Sequence, residues 1–134
     1  MAQMGMGTCI LGYANKEIDQ KVKKIIDKGI NSTLNCPEEF ELAQKLLKYD
    51  KFADQVKFAK GGGEAMSIAV RLARAKSGKD IVAFSGYHGW HDWYLATNLK
   101  NKNNLKDHLL PGLEPLGVPK KLKKFARLFM IMVV

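Results

Sequence analysis

With 134 residues, 46% of them hydrophobic, the chain is sized for one domain or a piece of a larger one and is too apolar for a disordered segment. No apolar run reaches bilayer length, and the start Met1-Ala2-Gln3-Met4-Gly5 lacks the basic and apolar segments of a signal peptide, so a cytoplasmic protein with no membrane partner is expected. The net charge of +9 raises nucleic acid as a partner, but eight basic residues and only two acidic ones fall from Asn98 onward, leaving residues 1–97 nearly balanced.

In chain order, Met4 to Gly12 reads as glycine-punctuated extended chain, with Ile10, Leu11 and Tyr13 supplying a short strand. Asn15 is an N-cap for a first helix, with Glu17 and Asp19 at its positive end. Ile18, Val22, Ile25 and Ile26 recur at helical spacing, and Gly29 is a stop. Pro37 opens a second helix, whose apolar stripe is Phe40, Ala43, Leu46 and Leu47. Val56-Lys57-Phe58-Ala59 reads as a strand broken by Gly61-Gly62-Gly63. A third helix starts near Glu64, turns Ala65, Ile68, Ala69, Leu72 and Ala73 toward a sheet, and ends at Ser77-Gly78. Ile81-Val82-Ala83-Phe84 is the next strand. The crossover helix implies that the two strands are parallel, so the fold class is α/β.

After Ala96 the order thins, and residues 98–134 are expected to form a basic, loop-rich tail with an apolar end, set apart from residues 1–97. The final run Leu128 to Val134 reads equally as a strand pairing within the domain or as an aggregation-prone end. Cys9 and Cys36 are too few for a disulfide framework and read as small buried residues.

Two features carry chemistry. Gly61-Gly62-Gly63-Glu64 lies between a strand and a helix start, where unpaired backbone N–H groups and the helix dipole favour an anion and glycines admit a phosphate close to the backbone. No lysine-serine or lysine-threonine pair follows, so it is not a P-loop, and the dinucleotide glycine pattern is absent. The bland alternative is a flexible turn. The second feature, Tyr87-His88-Gly89-Trp90-His91-Asp92-Trp93, follows the next strand. In an open α/β sheet ligands sit beyond strand carboxyl ends, which brings both features to one place, where an aromatic ring can stack on a planar heterocycle. His88 and His91 lack further ligands at tetrahedral spacing, which argues against a metal. Trp90 and Trp93 read as core or interface residues.

Five blocks resemble the class III aminotransferases, most of all the branch holding glutamate-1-semialdehyde aminomutase and its aminotransferase relatives. They are Gly7-Thr8-Cys9-Ile10-Leu11-Gly12-Tyr13, Glu39-Phe40-Glu41-Leu42-Ala43, Phe58 through Ala65, Ile68 through Ala75, and Gly86 through Asp92. His108-Leu109-Leu110-Pro111-Gly112-Leu113 also resembles the family; nothing beyond about Lys121 does. The resemblance implies part of the large domain of a fold type I pyridoxal 5'-phosphate enzyme, with Gly61, Gly62 and Gly63 holding the cofactor phosphate, Tyr87 stacking on its ring and His88 supporting that geometry. Relatives commonly have serine-glycine-threonine where this chain has three glycines, which leaves the backbone N–H groups to hold the phosphate.

The resemblance also implies a small-molecule amino donor and acceptor, and a homodimer in the full-length enzyme. The lysine that bonds the cofactor and the carboxylate facing its ring nitrogen lie in family segments downstream of Tyr87, and neither is assigned to a residue here. The chain is therefore expected to be an N-terminal fragment, inactive alone. Two rival readings remain: a basic interaction protein that binds nucleic acid or acidic partners through its tail, and a product with no stable fold.

Overall fold

The structure, a computed structural model, describes residues 7–30, 33–100 and 114–128, and the chain divides into two compact units, Met1–Val56 and Lys57–Val134. Of the residues beyond Asn98, Ala126–Leu128 pairs back onto Val82–Phe84.

The first unit is built from local signals. The stretch expected as a strand near Ile10 is instead a run of turns. Ile10 N donates to Gly7 O and Gly12 N to Cys9 O, while Gly7 and Gly12 take positive φ that extended pairing would not permit. Helix α1 spans Lys16–Ile26 and starts where its cap predicts: the Asn15 side chain accepts from the backbone N of Glu17 and Ile18. Glu17 pairs with Lys21 one turn on, at 2.7 Å, and Gly29 follows the helix with φ 99°. Helix α2 spans Pro37–Tyr49 with its proline in the first turn.

Among the described residues of this unit none is buried. Ile18, Val22, Ile25 and Ile26 line an open apolar hollow of about 680 Å³ only in part. Val22, Ile25 and Ile26 reach it, together with Ile30, Cys36 and Pro37. The expected burial of both cysteines fails here. Cys9 is half-buried in the turns, and Cys36 is exposed because it sits just outside α2 as the residue before Pro37.

At the junction of the units, Val56–Ala59 is not a strand: it joins no ladder among the described residues. Helix α3 spans Gly62–Ser77 and closes on Gly78 in the left-handed conformation. Its packed face is not the one expected. Val70 is its buried residue, flanked by half-buried Gly63, Met66, Ser67 and Arg74; of the expected face only Ile68 is half-buried, and Ala65, Ala69, Leu72 and Ala73 are exposed. Apart from Ile68, these positions follow the 3.6-residue period one step around from Ala65, Ala69 and Ala73. The expected face was read from apolar spacing alone, which does not say what the helix packs against.

Strand β1, Val82–Phe84, pairs in parallel with β2, Ala126–Leu128, in the register Val82↔Ala126, Ala83↔Arg127 and Phe84↔Leu128. Arg74 binds this arrangement from α3, its guanidinium donating to the carbonyls of Asp80 and Phe125. Helix α4 spans Asp92–Leu95 and runs into a 3-10 turn, Ala96–Leu99. A second 3-10 turn, Lys120–Lys124, precedes β2.

The core is Phe84, Tyr94, Leu95, Ala96 and Val118, with Trp93, Leu99 and Leu122 packed on it. Thinning of order after Ala96 is thus not found within the described residues: Thr97 and Asn98 are buried. The run Phe129 to Val134 and the block His108 to Leu113 lie outside the described residues. No described helix is long and apolar enough to cross a membrane.

Candidate functional site

Gly61 stands at the N-cap of α3, and Gly62 and Gly63 form its first turn. No side chain caps this start, so the first-turn N–H groups, which have no acceptor inside a helix, keep their donors for an anion. No heavy atom of the described residues lies within 4 Å of where a Cβ would stand on Gly61 or Gly62, so the turn opens onto free space among them. Glu64 reaches back past the N-cap: its Oε2 accepts from Lys60 N at 2.9 Å, pinning the chain that leads into the turn.

The third glycine closes the turn's far side. A Cβ on Gly63 would come within 3.2 Å of the His91 ring and 3.6 Å of Gly89 Cα, and a Cβ on Gly89 would lie 2.9 Å from Gly63 Cα. Gly89 also has φ 93°. Two glycines thus let the loop after β1 lie directly against the first turn of α3, with His91 occupying the space a side chain at position 63 would fill. The two sequence features, some twenty-five residues apart, meet at this contact.

Behind the contact is a set of rings. Phe84 packs edge-on against His88 and Trp93, with ring centroids 5.7 and 5.6 Å away, and His88 stacks on Trp93 at 6.0 Å and 27°. Tyr94 lies among them and meets Tyr87 at 5.8 Å and 90°. His88 donates from Nε2 to the Ser85 carbonyl at 2.6 Å, which places its ring proton on that nitrogen. Tyr87 itself is 44% exposed.

Tyr94 is 0% exposed, and its hydroxyl has no hydrogen-bond partner among the described residues. Burial, reinforced by the neighbouring Tyr87 phenol, pushes its pKa up to about 12.

Trp93 Nε1 donates to Ser67 Oγ at 3.1 Å, and Ser67 Oγ donates to the Gly63 carbonyl at 3.0 Å. Ser67 escaped sequence reasoning. The signal was a hydroxyl in the apolar first half of a helix, one turn beyond Gly63, where serine can bond back to the i−4 carbonyl. Gly89 was given no role from sequence, and His91 was weighed only as half of a metal pair. Trp93 packs on the core as expected, whereas Trp90 is exposed. No group of three metal-ligating side chains occurs among the described residues.

The chain is 39% identical over 94 residues to a glutamate-1-semialdehyde 2,1-aminomutase of Sulfolobus acidocaldarius, a match covering 69% of this chain and 22% of the relative. It is 36% identical over 90 residues to the 2'-deamino-2'-hydroxyneamine transaminase of Streptomyces kanamyceticus, covering 66% of this chain and 23% of that one. The chain belongs to the class III aminotransferase family. It spans about a fifth to a quarter of the length of these curated relatives.

The fold agrees. An omega-transaminase from Sphaerobacter thermophilus superposes with a TM-score of 0.68 over 90% of this chain and 28% of its own, at 24% identity. No family model matches the chain. Nothing in these comparisons supports the nucleic-acid alternative for this aminotransferase-family chain.

Proposed function

We propose that this chain forms part of the large domain of a fold type I pyridoxal 5'-phosphate enzyme, an aminotransferase or aminomutase, and supplies its phosphate turn and ring-covering tyrosine. The observation that supports this most is the uncapped, side-chain-free start of α3 lying against the Tyr87–Trp93 loop. The residues fit the cofactor. Open space beside Gly61 and Gly62 admits a phosphate to the backbone N–H groups, and a half-exposed Tyr87 is available to cover a heterocycle.

When bound, pyridoxal 5'-phosphate supplies the electron sink for moving an amino group between small molecules. The residues here bind and orient. Gly61, Gly62 and Gly63 hold the phosphate through main-chain donors, and Tyr87 limits ring tilt. His88, anchored on Ser85 and stacked on Trp93, holds the loop that carries Tyr87. Small-molecule amino donor and acceptor, a homodimeric whole enzyme and a cytoplasmic setting belong to the same proposal. By itself this chain is expected to show no transaminase turnover, since none of its lysines is assigned the covalent role.

The test is Gly62→Asp in the full chain. No heavy atom is near a Cβ there, and an acidic residue in the first turn suits the helix dipole, so the fold tolerates it. The carboxylate would occupy the anion seat. Binding of pyridoxine 5'-phosphate, which has no aldehyde to react with the many lysines, should fall at least tenfold. Undiminished binding by this variant would overturn the phosphate-turn reading.

A further inference from the structure

We propose that Ser67 and Trp93 are positioning residues that set the spacing between the glycine turn and Tyr87. This rests on the function proposed above and goes beyond it by assigning a role to two side chains that touch neither the phosphate turn's donors nor the heterocycle.

A continuous path of polar and ring contacts joins the two ends of the site. The Gly63 carbonyl, in the first turn of α3, accepts from Ser67 Oγ at 3.0 Å. Ser67 Oγ in turn accepts from Trp93 Nε1 at 3.1 Å. Trp93 meets Tyr94 at 5.9 Å and 72°, and Tyr94 meets Tyr87 at 5.8 Å and 90°. Ser67 donates its one proton to the Gly63 carbonyl and accepts from Trp93, so the direction of its O–H is fixed.

Trp93 is likewise committed. Its indole edge is bonded to Ser67, and its ring is held edge-on by Phe84 and stacked by His88. Phe84 and Tyr94 at the far end are buried and cannot yield. The direct contact at Gly63 and Gly89 presses the loop and the helix together but carries no hydrogen bond between them among those described. Ser67 and Trp93 supply the polar tie across that join. A phosphate gripped by the turn would therefore place its attached ring at a height and angle fixed by this tie relative to Tyr87.

The test compares two probes on the full chain, inorganic phosphate and pyridoxine 5'-phosphate, with Ser67→Ala, Trp93→Phe, the double variant and Ser67→Thr. Phosphate touches only the turn, whereas the pyridoxine ester also needs Tyr87 at the right distance. Loss of one neutral hydrogen bond of this kind corresponds to roughly a threefold to tenfold change in affinity. Each single variant should weaken the pyridoxine ester by about that factor and leave phosphate within about twofold. The double variant should be no worse than either single one, because both act through one chain of bonds. Ser67→Thr, which keeps the hydroxyl, should bind as the native chain does.

The proposal is overturned if the single variants bind the pyridoxine ester as tightly as the native chain. It is also overturned if both probes weaken together, since that is what general loosening of the fold would give. Failure of the native chain to bind either probe would instead sink the function proposed above, and this inference with it.

Discussion

The two units of this chain hold the same kinds of residues and spend them differently. In residues 7–56 the helices are specified by Asn15, Pro37 and the acidic first turns, yet none of the described residues is buried, and Ile18, Val22, Phe40 and Leu46 remain exposed. In residues 57–128 the described helices include the longest of the chain, α3, and Phe84, Tyr94, Leu95, Ala96 and Val118, drawn from distant parts of the sequence, close into a core. The difference shows that capping and periodicity suffice to place a helix, while a rigid site needs rings brought together across the chain. The expected cofactor-binding residues all belong to the second kind of region.

The largest effect that would break this contrast is in the core. Phe84→Ala removes a buried ring contacting His88, Trp93 and Tyr94 and should destabilise the second unit by about 3–4 kcal/mol. Ile25→Ala in the exposed face of α1 should cost about 1 kcal/mol or less. Urea denaturation followed by tryptophan fluorescence for the first and by circular dichroism for the second measures both. Equal losses would mean that the units are not held differently.

Next in size, the two regions should answer a glycine substitution differently. Gly89→Ala forces a methyl group to 2.9 Å from Gly63 Cα at positive φ and should cost roughly 2–4 kcal/mol. Gly12→Ala also has positive φ but meets nothing within 4 Å, so only the backbone penalty of about 1–2 kcal/mol applies. Thermal melts compare the pair. Asn15→Ala, which deletes the side-chain cap of α1, should lower helicity and cost about 1 kcal/mol, read by circular dichroism.

The smallest effect is the most pointed. Tyr94→Phe removes a buried hydroxyl with no described partner, so it should be neutral or stabilise by up to about 1 kcal/mol. Its pH dependence has a definite sign. The folded pKa is about 12 and the model-compound value is 10.0, so above pH 10 the unfolded chain loses its proton first. Stability from this group is intact below pH 10 and is lost as pH rises to about 12. Tyr94→Phe should lack that part of the alkaline slope, measured as urea midpoints between those pH values.

Much of the first unit was legible because its signals are local. The cap at Asn15, the proline at the start of α2 and the stop at Gly29 lie where the helices begin and end. Strands were harder to read. Val56–Ala59 carries the composition of a strand, but a ladder needs a partner. The partner of Val82–Phe84 proved to be Ala126–Leu128, in a segment whose lysines read as a solvated tail. The buried face of α3 was misread for the same reason, since which face packs depends on what it packs against. At the site, glycines and aromatics announced themselves. Ser67 did not, because its role exists only through Trp93, twenty-six positions away.

The most direct measurement is a two-dimensional NMR titration of the full chain with pyridoxine 5'-phosphate. The amides of Gly61, Gly62 and Gly63 and the signals of Tyr87 should shift together and saturate at one ligand concentration. Shifts confined to Lys120–Lys124, or movement of the glycine amides with Tyr87 unaffected, would show that the turn and the tyrosine do not form one site.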